Sequence, residues 1–431
     1  MLDTAALPEL SGSFEADARA ACEFLSESQE RLERLPARPR RSEREQADAE
    51  ALADALNAVR ERFLSTHVEA VYATLTDDLR VHLRDEPLVY AAAERFPGLT
   101  PSRAAVAAEL ERKLADKHGV EMAQGLFLAQ VLSSPRAGTH LIEAMLRPTD
   151  EALGRLDDFR ATGAADLGPV QLSRVGRSGV LQLRNPRHLN AEDDTTLAAS
   201  ECAVDLILLD PEIEVGVLRG GPVDHPRHSR VFGAGLNLTR LYRGQIPFLF
   251  FVTRDLGYVH KIFRGLPQAE KLWIAAVETY AIGGACQLLH VVDHVIAARG
   301  SRLYLPARKE GIIPGASNLR LPRFVGDRLA RQAILSGLEF EAGTAQGDLL
   351  CDEVVEPEAL DAALAARVAA LTDSGLVSAA ANRRALRIGQ EPLDVFREYM
   401  SAFARDQAYC HLSPALVRNL EEHWKAHERD L

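Results

Sequence analysis

The stretch Trp273–Ala298, WIAAVETYAIGGACQLLHVVDHVIAA, restricts the fold of this chain more than any other. Trp273–Val277 is an unbroken apolar run, the pattern of a short strand buried on both faces. Beyond Gly283 and Gly284, the residues Leu288, Leu289, Val291, Val292, Val295 and Ile296 predict a helix too densely apolar for a surface position. The glycine pair at the junction opens backbone angles closed to other residues. It also leaves the first N–H groups of the helix unpaired at the positive end of the helix dipole. A turn of this kind receives an anionic or polarised oxygen.

A second glycine-rich turn lies upstream in SRVFGAGLNLTRL, Ser229–Leu241, after an apolar strand (Val215–Leu218) and a polar loop. Two such turns can aim two N–H groups at one oxygen. With RNPRHLNAEDD (Arg184–Asp194) and EGIIPGASN (Glu310–Asn318) they make four landmarks whose order and spacing resemble the crotonase (enoyl-CoA hydratase/isomerase) family. The resemblance implies an α/β fold: a crotonase-like core of ββα units wound into a spiral, with an added all-helical N-terminal domain and C-terminal helices. It further implies that two backbone N–H groups, by position those of Gly233 and Gly284, polarise an acyl-CoA thioester carbonyl and stabilise the enolate formed from it. His188, Ala234, Gly235, Leu236, Ile282, Gly283 and Ile313 would line the substrate site. His225 and Arg227, in the loop VDHPRHSR, would touch CoA phosphates or solvent.

Hydratases of this family hold a water between two glutamates. The matching positions here are Gln287 and Ala307. An amide and a methyl group exchange no proton near neutral pH, so water addition loses its acid and base. Lys309 and Glu310 lie near enough in sequence to substitute, but read as exposed loop charge. The aromatic insert Arg243–Gly265 places Arg254 next to the apolar run Phe248–Val252, and a buried guanidinium requires acceptors. Either it makes a structural ion pair, with Asp255 or another acid, or it is a donor fork for a polar acyl group.

These features are most similar to a branch of the family in glycopeptide-antibiotic biosynthesis that oxidises hydroxylated arylacetyl-CoA thioesters. The resemblance implies dioxygen as co-substrate, release of CoA, and no metal, flavin or other cofactor. It assigns Arg254, Gln287 and Glu192 to the ring hydroxyls and acyl group, although Glu192 reads equally as a first-turn helix charge. The general base is not identified. The alternative within the fold is a CoA-thioester hydrolase, isomerase or hydratase. His290 and His294 flank Asp293 at the spacing of two ligands on one helical face, and Cys286 begins a helix where thiolates are stabilised. Structural roles outweigh a metal site or a Cys286–His290 nucleophile.

The rest of the chain reads as three segments: helical 1–165, core 166–325 and helical 326–431. Ser42 and Glu45 form a capping box that opens a long helix through Leu75, and Thr100-Pro101 opens another that ends at Lys117-His118-Gly119. The run Arg34–Arg44 is a solvated linker. Val170–Val175 and Val180–Leu183 pair as a hairpin, and Asn190 opens a helix over Ala191–Leu209. A net charge of −12 argues against nucleic-acid or anionic-membrane partners. Five scattered cysteines suggest neither disulfides nor a zinc site. With no signal core and no long apolar span, the expected location is cytoplasmic. The family resemblance implies a homo-oligomer, a trimer or a dimer of trimers.

Overall fold

The computed structural model describes residues 7–36 and 38–429. The first six residues of the acidic N-terminus, Ala37 within the basic run, and the last two residues lie outside them. Twelve strands follow one another among the described residues. They are β1 (Ala164–Asp166), β2 (Val170–Val175), β3 (Ser178–Leu183), β4 (Val215–Gly220), β5 (Pro222–His225), β6 (His228–Arg230), β7 (Leu272–Val277), β8 (Tyr280–Ile282), β9 (His294–Ala298), β10 (Arg302–Tyr304), β11 (Phe340–Glu341) and β12 (Glu353–Val355).

Seven strands form one sheet in the order β1-β2-β3-β4-β7-β9-β12. The expected hairpin is there, with Val170 opposite Leu183, and from β3 onward neighbours run parallel. A parallel strand covered on both faces reads as continuous apolar sequence, and all six residues of β7 are buried. Its side chains alternate. Trp273, Ala275 and Val277 join the core that includes Cys202, Leu206 and Ile262, while Leu272, Ile274 and Ala276 join Val215, Val217 and Leu360. A second sheet, β11-β10-β8, carries the Gly283 turn at its end, where Tyr304 pairs in parallel with Ile282.

Two compact units result, and they follow the chain differently from the expected segments 1–165, 166–325 and 326–431. One comprises the residues through Met145 with Thr239–Thr253 and Leu393 onward; the other comprises Leu146–Leu238 and Arg254–Pro392. The physical reason lies in the apolar faces of the insert and the last helices. Within the first unit, Phe251 meets His411 edge-on at 5.4 Å, Tyr242 donates to Glu421 at 2.7 Å, and helices Met122–Ser133 and Leu393–His411 approach closely at Gly125, where a Cβ would collide with Ala408.

The capping box of Ser42 and Glu45 opens the helix Glu43–Leu75 as expected. Three other local expectations are corrected. Ser102, not Thr100, caps a helix that ends at Leu110, because its side chain reaches the Ala105 N–H. The helix Asp194–Leu209 starts at a capping box of Asp193, whereas Asn190 sits at φ +57° and ties Asn185, Gly221 and Val231 together. The apolar helix expected through Ile296 stops at Leu288, and His294–Ala298 is strand β9. Its β-branched Val295 and Ile296 complete the sheet beside β7 and override the helical spacing. Among the described residues no single helix is long and apolar enough to cross a membrane.

Candidate active site

The site is built where the β8 turn meets the Ser229–Leu241 segment, within the second unit. Gly283 takes φ +51° and ψ −117°, which permits the abrupt passage from β8 into the short helix Gly284–Leu288. Its own N–H donates to Tyr304 O at 2.9 Å. The Gly284 N–H, first in the helix, meets no acceptor among the described residues.

Gly233 does not supply the second donor. Its N–H donates to Tyr280 O at 3.1 Å, and its carbonyl accepts from Ile282 at 3.0 Å, a strand-like exchange that holds the two turns together. Ala234 donates to Leu189 O and Asn237 to Glu192 O, which leaves the Gly235 and Leu236 N–H groups without a backbone acceptor among the described residues. Gly235 brings the Leu236 peptide in at φ +77°. A Cβ there would stand 2.6 Å from Ile282 O and 3.1 Å from the Gly284 nitrogen.

Behind the Gly284 peptide lies a buried polar network. Arg254 and Asp255 precede, and Tyr258 follows, the Gly257 break between helices Leu249–Leu256 and Tyr258–Arg264. Arg254 Nη2 donates to Glu192 Oε2 and to Gly284 O, both at 2.8 Å. Its Nε reaches Glu192 at 3.1 Å and its Nη1 donates to Gln287 Oε1 at 2.9 Å. Tyr258 donates its hydroxyl to Glu192 Oε1. The structure thus brings Arg254, Glu192 and Gln287 together and commits most of the guanidinium fork to protein acceptors. Glu192 lies before the helix Asp194–Leu209 rather than in its first turn.

Burial is the largest influence on Arg254 and works against its charge, but Glu192, Tyr258 and Asp255 together outweigh it and hold the guanidinium pKa above its ordinary value. Burial likewise raises the Tyr258 hydroxyl and the Asp255 carboxyl. Asp255 accepts from the Ala316 N–H at 3.0 Å, 3.8 Å from Arg254 Nη1. The network leaves no room for side chains at its glycines: a Cβ on Gly284 would collide with Glu192 Oε2, and one on Gly315 would stand 2.5 Å from Gln287 Oε1. Because Arg254 fixes Oε1, the Gln287 amide nitrogen is the uncommitted end of that side chain.

Ala234, Leu236, Ile282 and Ile313 are each half-buried. His188 is half-buried at the end of a 3-10 turn, Pro186–His188. His225 and Arg227 lie on the separate β5–β6 hairpin, where His225 stacks on His228 at 4.7 Å and Arg227 is exposed. Of the competing sites, His290 pairs with Ser317 Oγ at 3.0 Å, and burial lowers its pKa to about 3. His294, on β9, faces Asp352 and Glu353. Among the described residues no three His, Cys, Asp or Glu side chains gather as a metal site. Burial pushes the Cys286 thiol upward, which opposes a thiolate.

Residues 177–397 match the enoyl-CoA hydratase/isomerase family. The (3,5-dihydroxyphenyl)acetyl-CoA 1,2-dioxygenase of Amycolatopsis orientalis is 45% identical over 412 residues, 93% of this chain and 94% of that protein. The crotonyl-CoA hydratase of Syntrophomonas wolfei subsp. wolfei is 30% identical over 193 residues, 44% of this chain and 70% of its own length. In fold, the crystal structure of enoyl-CoA hydratase from Bacillus halodurans matches with a TM-score of 0.50 at 20% identity, covering 59% of this chain and 99% of its own.

Proposed function

This chain belongs to the enoyl-CoA hydratase/isomerase family, and we propose that within it the protein is a dioxygenase acting on an arylacetyl-CoA thioester. It converts 3,5-dihydroxyphenylacetyl-CoA and dioxygen to 3,5-dihydroxyphenylglyoxylate and free CoA, without metal or organic cofactor. The observation that carries this reading is the 45% identity to a dioxygenase across 93% of the chain, far beyond the 44% matched by a hydratase. Gln287 and Ala307, in place of the hydratase acids, point the same way.

In this reading the thioester oxygen accepts from the Leu236 and Gly284 amides, each donor contributing about 10²–10³ in rate. Loss of one α-proton gives an enolate spread over thioester and ring. Its electron pair reduces dioxygen, and the carbon–oxygen bond formed leaves a peroxide on the α-carbon. The peroxide attacks the thioester carbonyl and expels the CoA thiolate. Cleavage of the O–O bond with loss of the second α-proton leaves the keto acid. One α-proton ends on CoA and the other in water.

The Gln287 amide nitrogen donates to a ring hydroxyl, while Arg254 and Glu192 hold the Gly284 peptide in place. His188, with the apolar side chains of Ala234, Leu236, Ile282 and Ile313, lines the acyl site, and His225 and Arg227 approach the CoA phosphates. A homo-oligomer is supported by the helix Leu376–Gln390, which exposes Val377 (87%), Leu386 (61%) and Ile388 (76%). The free state of all five cysteines suits a cytoplasmic enzyme.

Incubation with 3,5-dihydroxyphenylacetyl-CoA in the presence of a strong chelator tests the reading. Equimolar dioxygen uptake and thiol release are expected. Release of CoA without dioxygen would identify a hydrolase, and inhibition by the chelator would identify a metal-dependent enzyme.

A further inference from the structure

Enolate formation needs a proton acceptor, and most carboxylates near the glycine turn are already committed. Glu192 accepts from Arg254 and Tyr258, and Asp255 accepts from the Ala316 N–H beside Arg254. The acceptor oxygens of both are engaged by donors of the buried network. Glu310 differs. Strand β10 runs parallel to β8, its Tyr304 level with Ile282, and the short helix Ala307–Glu310 then carries the chain back toward the Gly283 turn before Gly311 redirects it at φ +78°. The Glu310 carboxylate arrives with Oε2 4.0 Å from where a Cβ on Gly283 would stand. It has no hydrogen-bond or ion-pair partner among the described residues, and it is half-buried while Arg308 and Lys309 beside it are exposed.

Resting on the dioxygenase reading above, we propose that Glu310 is the catalytic base that removes the α-proton of the thioester. With the thioester oxygen at the Gly284 amide, the α-carbon is two bonds away, and the carboxylate stands beside the neighbouring Gly283. The C–H electron pair becomes the enolate, the proton makes Glu310 a neutral acid, and that proton is later available to the departing CoA thiolate. No oxidant is needed for this step, since dioxygen enters only after it.

Burial alone raises the Glu310 carboxyl to about 7, close to the value at which a base is both ionised and reactive at neutral pH. The titratable neighbour that feels its charge is Tyr304, whose hydroxyl is raised to about 12, chiefly by burial. A carboxyl raised in this way favours folding while protonated, and that contribution, full below about 4.5, is lost as pH rises to about 7. Glu310→Gln therefore folds at least as well as the native chain above about pH 7.

The test is exchange of the α-hydrogens of 3,5-dihydroxyphenylacetyl-CoA with D₂O under argon, read by mass spectrometry alongside aerobic dioxygen uptake. The native enzyme is expected to exchange with a rate that rises through about pH 7 to a plateau. Glu310→Gln is expected to lose roughly 10²–10⁴ of that rate and its pH limb, with thioester binding kept. Glu310→Asp, one methylene short, is expected to be slower and to keep the limb. Native-rate exchange by Glu310→Gln overturns the assignment of the base while native dioxygen uptake keeps the dioxygenase reading. Exchange that depends on Glu310 without dioxygen uptake keeps the base and overturns the dioxygenase reading. Absence of both from the native enzyme overturns both.

Discussion

Each of the two units buries an ion pair, and the pairs are finished differently. In the helical unit Lys117 Nζ donates to Glu121 Oε2 at 2.7 Å, and Glu121 Oε1 accepts from the Phe248 N–H at 2.7 Å. Both carboxylate oxygens are used, and the pair joins one segment to another. In the core unit the Arg254–Glu192 pair is equally enclosed, yet among the described residues it abuts backbone amides without acceptors, a Gln287 nitrogen without one and a Glu310 carboxylate without a partner. Buried polar groups are normally satisfied, so a concentration of unsatisfied ones beside an enclosed charge pair distinguishes a site prepared for a substrate from a structural tie.

The sharpest way to break this comparison is to neutralise one acid of each pair. Glu121→Gln and Glu192→Gln each deprive a buried cation of its hydrogen-bonded carboxylate, a loss of roughly 3–5 kcal/mol. Chemical denaturation is expected to show similar losses for both. Only Glu192→Gln is expected to lose activity per folded molecule, and a comparable loss of kcat in Glu121→Gln would erase the distinction. Next in size is Gly284→Ala, whose methyl group displaces Glu192 Oε2 and shifts the adjoining amide. A fall of about 10²–10³ in kcat is expected, as for removal of one oxyanion donor. Arg254→Lys comes third. An ammonium cannot reach Glu192, Gln287 and Gly284 O together, and the loss of about one charge-assisted hydrogen bond, roughly 1.5–3 kcal/mol, predicts a 10- to 100-fold lower kcat/KM. An unchanged kcat/KM would show that Gly284 is held without the guanidinium.

The core was legible in the sequence where one force dominated. The apolar run Trp273–Val277 gave a fully buried strand, and the four landmarks led to the family. Where two forces competed, local pattern misled. The spacing of Leu288–Ile296 fits a helix, but sheet pairing with β7 claimed Val295 and Ile296. Gly233 looked like an oxyanion donor because glycine marks a turn, yet only the hydrogen-bond ladder reveals that its N–H is taken and that those of Gly235 and Leu236 have no backbone acceptor among the described residues. Tyr258 was missed although it stands four residues after Arg254, and Glu310 was discounted because sequence does not show which loop charges lose their water. The aromatic insert was read as part of the core, whereas Thr239–Thr253 belongs to the helical unit.

The smallest effect isolates the helical unit from the chemistry. Ser42 accepts from the Glu45 N–H while Glu45 accepts from the Ser42 N–H at 2.8 Å, closing the capping box of the helix Glu43–Leu75. Ser42→Ala removes the hydroxyl acceptor and leaves an N–H at the helix start to water, a loss of about 1 kcal/mol. The cap is exposed, so water substitutes readily and the loss stays at that size. Thermal unfolding is expected to shift by a few degrees, with kcat and the pH profile unmoved. A change in kcat at constant stability would show that this helix acts on the chemistry and is more than a scaffold for its own unit.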